Sequence, residues 1–426
     1  MSKKFKLTKT YAALVLSAII GAQVCATTPT FAKETYTVEQ VETETTVNSE
    51  TEKNARYLEV YFDINEIPEV ITWDFFGNAL SKVTTNTLEH MPQEGAVSYS
   101  EAIQYAVMGA NFTELANTYT EEKINAKGLE AEKEHMKYVA CALDTGLIKS
   151  VENKELENTI TKEQCINLLM SVADANGKAR NFLGYTNESD IYGKLVNAFE
   201  SATLFENEKL QTIGGEAVLK GITTGYNLLN SKYSANFIPE LTLRYGHSTL
   251  THATQLVGLL QSEGIVAKVQ LEPKTSIFQY LPEWGPIPPA TPNYRVEVVN
   301  DELMLANSLE YDLVFEFETQ EDKLAFDTLV EKYAKKNDTN QGEGLLFASW
   351  WQPLYVSSVE MNKGYQKIYN NVIVDGDFSL NPFCLEDDRE KVLEGMKAID
   401  ETIEVKQVPI WCNDAFYRYL TGTSHQ

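Results

Sequence analysis

The sequence predicts an α+β chain, with a mostly helical first half followed by helices packed on an antiparallel sheet. Three observations predict it. Apolar residues recur at helical spacing from Tyr57 to about Leu204. At Gly264 the period drops at once from about 3.6 residues to 2, so a helix feeds directly into a strand. Beyond that point short alternating runs return with turn residues between them, and a helix on such a sheet is the α+β arrangement.

At roughly 150 residues per domain, 426 residues suggest two or three domains. Apolar residues make up 43% and aromatics 11%, which supplies a real core and excludes wholesale disorder. Thirty-six basic residues against 61 acidic ones give a formal charge of −25. Outside the first nine residues there is no concentration of Lys and Arg, so nucleic acid is excluded as a partner.

Lys3, Lys4, Lys6 and Lys9 precede an apolar run from Tyr11 to Ala22, and no charge returns before Lys33. A basic head, a short apolar stretch and small residues at its end describe a secretory signal peptide over residues 1–32. Cleavage after Ala32 is preferred to cleavage after Ala26. The run falls short of the roughly 20 residues a membrane span needs, so no integral span is expected after cleavage. The product is expected outside the cell or on its wall. Residues 33–55 are rich in Thr, Glu and Val without a sustained apolar face, and read as an acidic linker. Cys141, Cys165, Cys384 and Cys412 remain, an even number in an oxidising setting. Cys141–Cys165 and Cys384–Cys412 are the preferred bridges; the alternative is four small buried apolar side chains.

Residues 56–205 read as a helical domain. Met136, Val139, Ala140 and Leu143 share one helical face, and Gly146 stops that helix. Thr161-Lys162-Glu163-Gln164 is a capping box, and Cys165, Leu168, Leu169 and Val172 continue as the stripe of the next helix. This hairpin resembles one repeat of the S-layer homology family, through Ala142-Leu143, Gly146-Leu147-Ile148 and Ile160-Thr161-Lys162-Glu163-Gln164. Two further repeats are expected around Ser100–Gly109 and Asp190–Phe199. The resemblance implies binding of a cell-wall polymer or an envelope protein. Lys162 stands where the family's ligand-binding Arg would be, and Lys cannot replace a bidentate guanidinium.

Residues 206–426 read as an α+β domain with a C-terminal helix. Leu250, Ala253, Val257 and Leu260 form the helical face that ends at Gly264. Ile265, Ala267, Val269 and Leu271 then alternate with Lys268, Gln270 and Glu272 in a half-buried strand that Pro273 is expected to close. Tyr294 to Val298, Leu303 to Ala306 and Leu313 to Phe317 follow as strands, after the Pro-rich loop Pro282–Pro292. Glu386–Lys406 carries a Val392, Met396, Ile399 stripe, a helix docking on the sheet.

That succession resembles the transglutaminase-like, papain-related fold. The carrying residues are Leu259 to Lys268, Asn293-Tyr294-Arg295-Val296-Glu297-Val298 and Leu305-Ala306-Asn307-Ser308. The family's Cys position falls on Thr249, or on Ser248 with a one-residue shift. Its His position falls on Asn293 or Tyr294, and its Asp position on Asn307. A triad needs a base to take the nucleophile's proton and an anion to orient that base, and Thr249, Tyr294 and Asn307 supply neither. A retained scaffold without its catalytic machinery is therefore expected. The test is whether Thr249, Tyr294 and Asn307 converge.

His247 and His252 flank Ser248, Thr249 and Thr251. Five residues apart on an ideal helix they would point some 140° apart, so a shared metal is not expected. The roles open to them are polar structure, ligand contact, or activation of Ser248. Trp284, Trp350 and Trp351 supply either an aromatic platform for a ligand or buried core. Asp375-Gly376-Asp377 reads as a turn between strands rather than a calcium loop. No cofactor is expected. Three functions stay open: an exported, envelope-associated binding or structural module without catalysis; a secreted hydrolase or acyltransferase with an atypical Ser or Thr nucleophile; and an acidic secreted protein whose charge serves only solubility.

Overall fold

The computed structural model describes residues 49–88, 91–130, 133–301, 303–333, 354–361 and 364–423. The expected signal peptide, most of the expected linker, and Trp350 and Trp351 lie outside the described residues. The chain divides into two compact units. The helical one reaches Asn181 and takes back residues 236–238; the other is built from 182–235 and from Pro239 onward. The boundary falls before the expected 205/206 because residues 183–186 pair with a strand of the second unit, Leu183 N–H donating to Val269 O at 2.8 Å.

The helical unit holds α1 (Glu50–Phe62), α2 (Trp73–Val83), α3 (Tyr99–Gly109), the short α4 (Thr113–Ala116) and α5 (Glu121–Asn125), α6 (Met136–Thr145) and α7 (Lys162–Ala175). Helix α1 starts inside the expected linker, because Ser49 and Glu52 form a capping box that satisfies two backbone N–H groups. Three of the helices begin on one signal, a buried β-branched residue followed by a hydroxyl cap. These are Ile71-Thr72 before α2, Val97-Ser98 before α3 and Ile160-Thr161 before α7. Their backbones are joined, Val97 N–H donating to Ile71 O at 3.1 Å and Ile160 N–H to Val97 O at 2.9 Å. The related helix starts are thus at 72, 98 and 161. Of the two further repeats expected, Ser100–Gly109 lies in α3, whereas Asp190–Phe199 belongs to the second unit.

The second unit carries β1 (Gly184–Tyr185), α8 (Ile191–Glu200), α9 (Glu208–Leu219), β2 (Gly225–Asn230), β3 (Thr242–His247), α10 (Leu250–Glu263), β4 (Ala267–Gln279), β5 (Tyr294–Val298) and β6 (Met304–Phe317). It continues with α11 (Gln320–Tyr333), β7 (Leu354–Ser357), β8 (Tyr365–Asp375), β9 (Phe378–Asn381), β10 (Phe383–Cys384), α12 (Arg389–Ile399), β11 (Lys406–Asn413) and α13 (Asp414–Leu420). Helix α10 and its Gly264 stop, with φ 73°, stand where the sequence puts them. So does the Gly376-Asp377 turn, which joins β8 to β9.

The sheet is antiparallel, as the sequence predicts, and it closes on itself, which the sequence does not foretell. All its pairings are antiparallel, and β4-β2-β9-β8-β11-β7-β3-β6 closes through the β6–β4 pair into an eight-stranded barrel. Within it β3-α10-β4-β6-α11-β7 is a split β-α-β run in the order β7-β3-β6-β4. The expected strands at 303–306 and 313–317 are one continuous β6. Strand β4 also runs straight through Pro273. The odd residues of β4 turn their backbone groups toward β1, as Val269 O does, and Pro273 lies between the stretch paired by β1 and that paired by β2. Its missing N–H therefore interrupts no ladder bond.

Register decides which side chains face in. Helices α8, α10 and α11 pack on one face of the wall, over Leu243, Tyr245, Val269, Leu271, Leu313 and Phe315. Helices α9 and α12 pack on the same face, over Tyr226, Leu228, Ile277, Ile373 and Leu380. A helix with its side chains is about 10 Å across, so these helices stand outside the ring and the alternate residues line its interior.

Candidate functional site

The three positions of the expected triad do not converge. Tyr294 pairs with Ser308 and Arg295 with Asn307. Directly opposed residues point to one side of a sheet, so Tyr294 and Asn307 lie on opposite faces. Thr249 caps α10, and its carbonyl accepts from the Tyr311 hydroxyl at 2.8 Å. Asn307 sits four residues along β6 from Tyr311, about 13 Å away at strand rise. Asn293 spends its carbonyl on Leu309 N–H at 2.8 Å. These residues build no nucleophile–base–acid line.

The two histidines do meet, against the expectation from helical spacing. His247 ends β3 and only His252 is helical, so the turn at Ser248-Thr249 folds one ring onto the other. Thr249 N–H donates to His247 Nδ1 at 2.9 Å, which leaves Nε2 as the protonated nitrogen of a neutral ring. His252 Nδ1 lies 2.8 Å from His247 Nε2 and 3.2 Å from His247 Nδ1, the two rings meeting edge-on. Both rings are buried, and His247 stacks on Tyr245. Ser248 and Thr249 make no side-chain hydrogen bond to either imidazole. The pair ties the end of β3 to the start of α10.

Burial and chemistry gather elsewhere, at residues the sequence reading passed over. Lys323 on α11 is buried, its Nζ donating to Glu240 O and to Ser357 Oγ, both at 3.1 Å. Burial pushes this amine down to about 7, against the partial counterweight of Glu240 and Asp327. The Tyr365 hydroxyl donates to Asp327 Oδ1 at 2.6 Å. Burial first, and Asp327 second, hold Tyr355 and Tyr365 well above the ordinary tyrosine value.

The barrel interior is the other concentration. Lys268 pairs with Glu316 and Lys274 with Asp312, each at 2.6 Å, and Arg244 pairs with Glu272. The Ser276 hydroxyl donates to Glu310 at 2.6 Å, and Ala235 N–H donates to Glu272 at 2.7 Å. Burial alone would lower the Lys274 ammonium, but Asp312 and Glu310 outweigh it and hold it above its ordinary value. A Cβ on Gly246 would come within 3.0 Å of Asp312 Oδ1 and 3.2 Å of Lys274 Nζ, so the ions fill their space. The signal was present in the sequence as Lys268-x-Gln270-x-Glu272-x-Lys274, which an open sheet would have turned to water.

The remaining candidates are placed as follows. Lys162 opens α7 and pairs with Glu69 at 3.2 Å on the surface. Trp284 is partly exposed and packs edge-on against Tyr280 and Phe278. The expected disulfides are absent: all four cysteines are free thiols. Helix α3 packs against both α6, which carries Cys141, and α7, which carries Cys165. Cys384 pairs with Tyr369 and Cys412 with Gln366, which puts them on opposite faces of the barrel wall. Among the described residues no group of three or more His, Cys, Asp or Glu could hold a metal, and no helix is long and apolar enough to cross a membrane. Comparison with protein-family profiles, curated proteins and solved structures finds no match for the chain.

Proposed function

We propose that this chain is an exported, cell-envelope-associated protein that serves as a binding or structural module, its helical unit engaging the wall. The observation that carries the proposal is the shared start of α2, α3 and α7. Three like-capped helices joined backbone to backbone through Ile71, Val97 and Ile160 are what a repeated wall-binding unit requires. The basic head and apolar run at the N-terminus supply the route out of the cell. On the barrel side, His247 Nδ1 accepts from Thr249 N–H and the two imidazoles lie against each other, which favours a structural role over activation of a nucleophile.

The test is co-sedimentation of the mature protein with purified cell walls, before and after the wall's secondary polymers are extracted. Binding that disappears on extraction supports polymer recognition. Retention in the supernatant with intact walls removes the envelope role. A fluorophosphonate probe on the same preparation addresses the hydrolase reading, for which Ser248 would have to be modified stoichiometrically.

A further inference from the structure

We propose that the apolar wall of the barrel interior is a binding site for an uncharged apolar molecule, kept shut here by the C-terminal helix α13. The two halves of the interior differ. On β3, β6 and β4 the inward positions hold the ions Arg244, Glu310, Asp312, Glu316, Lys268, Glu272 and Lys274. Across the ring, β7, β11 and β8 turn inward Val356, Cys412, Ile410 and Ile368, widened by Leu354 and Val408. In the strand order β4 stands opposite β11 and β6 opposite β8, so a charged wall faces an apolar one.

Five helices of this unit, α8 to α12, cover the outside of the ring, but α13 packs on the inward set. Phe416, Tyr417 and Leu420 lie against Val356, Ile368, Ile410 and Cys412. Helix α13 has seven residues, follows β11 without a loop, and is the last helix among the described residues. A two-turn helix has little intrinsic stability in water, so it keeps its place through these side-chain contacts. Removing it would expose an apolar surface enclosed by a barrel, which is the usual setting of a small-molecule site.

The chemistry of the opposite wall selects the occupant. Each cation there already has a carboxylate partner, so an anionic ligand would bring in an ion without a counter-ion, which is costly in a buried site; the fourth carboxylate, Glu310, is held by the Ser276 hydroxyl, and the apolar wall across the ring offers a ligand cation no further acceptor. An uncharged aromatic or aliphatic molecule replaces Phe416, Tyr417 and Leu420 like for like. The inference is independent of where the helical unit docks.

The probe is N-phenyl-1-naphthylamine, uncharged and fluorescent in apolar surroundings. It is titrated into the full chain, into a chain ending at Asn413, and into a Phe416→Ala/Leu420→Ala variant that keeps the helix and guards against misfolding of the truncation. Near-UV circular dichroism checks the fold of each. The expected result is saturable binding of one probe per truncated chain, at least about tenfold tighter than to the full chain, with the double variant between. The Cys412 thiol, closed in the full chain, becomes reactive to Ellman's reagent after truncation and is protected by the probe. Equal affinity in all three chains overturns the proposal, as does uptake that never saturates.

Discussion

Lys323 shows how one residue sets a property of the whole fold. Its amine titrates near 7 in the folded chain and at an ordinary value of 10.5 when unfolded. Between those values the unfolded chain holds a proton the folded chain has shed, so stability rises with pH across that window. Below about 7 the folded state carries the full cost of a buried ammonium. Denaturant titrations from pH 7 to 9.5 should show this rise in the native protein and lose it in Lys323→Met; parallel slopes would remove the assignment. The buried tyrosines act in the opposite sense and later. Tyr355 and Tyr365 have folded values well above 10, so their contribution is whole below pH 10 and is lost above it. None of this was legible in the sequence, because Lys323 sits among Glu321, Asp322 and Asp327 and reads as one charge on a wet helix. Only α11 folding onto β7 makes it a core residue. The histidines failed for a different reason. Helical phase separates residues 247 and 252 only where both are helical, and a strand ends at His247.

At the level of elements the sequence was most readable where a local rule acts alone. Helix α10 and its Gly264 stop, the capping box at Thr161 and the turn at Gly376 depend on neighbours within a few residues, and all three are where they were expected. Strands were harder, since burial depends on what closes the sheet. Strand β4 shows the apolar–polar alternation of a half-exposed strand, yet most of both its faces is buried. Ring closure, a contact between distant stretches, converts a wet face into a lumen. The ion pairs inside it follow a simple expectation. Lys274→Met leaves Asp312 without its partner and should cost about 3 kcal/mol of unfolding free energy. Lys274→Met combined with Asp312→Leu removes both charges and should return most of that loss. A double variant no more stable than the single one would mean the pair is worth more than its desolvation.

For the molecule as a whole, the thiols give a direct readout of native packing. Cys141, Cys165 and Cys412 are fully buried, and burial raises all three, Cys141 to about 11 and the other two to about 12. Among the described residues Cys384 is the one partly exposed cysteine. In a chain that starts at Lys33, Ellman's reagent should therefore modify at most one thiol in the native state and four in denaturant; two or more fast thiols in the native state would contradict the packing. The division into units carries its own expectation. Residues 236–238 complete the helical unit, with Phe237 and Ile238 buried and the Tyr61 hydroxyl donating to Phe237 O at 2.6 Å. A fragment spanning 49–181 forfeits those two side chains, about 3–6 kcal/mol by burial, and should melt well below the same unit in the full chain.

That borrowed tripeptide also imposes an order of events. A chain synthesised from its N-terminus delivers α1 to α7 first, yet Phe237 and Ile238, which complete that unit, follow only dozens of residues later. The earliest part of the protein to be made is thus among the last to be finished, and for that interval a chaperone or a protease would find it open.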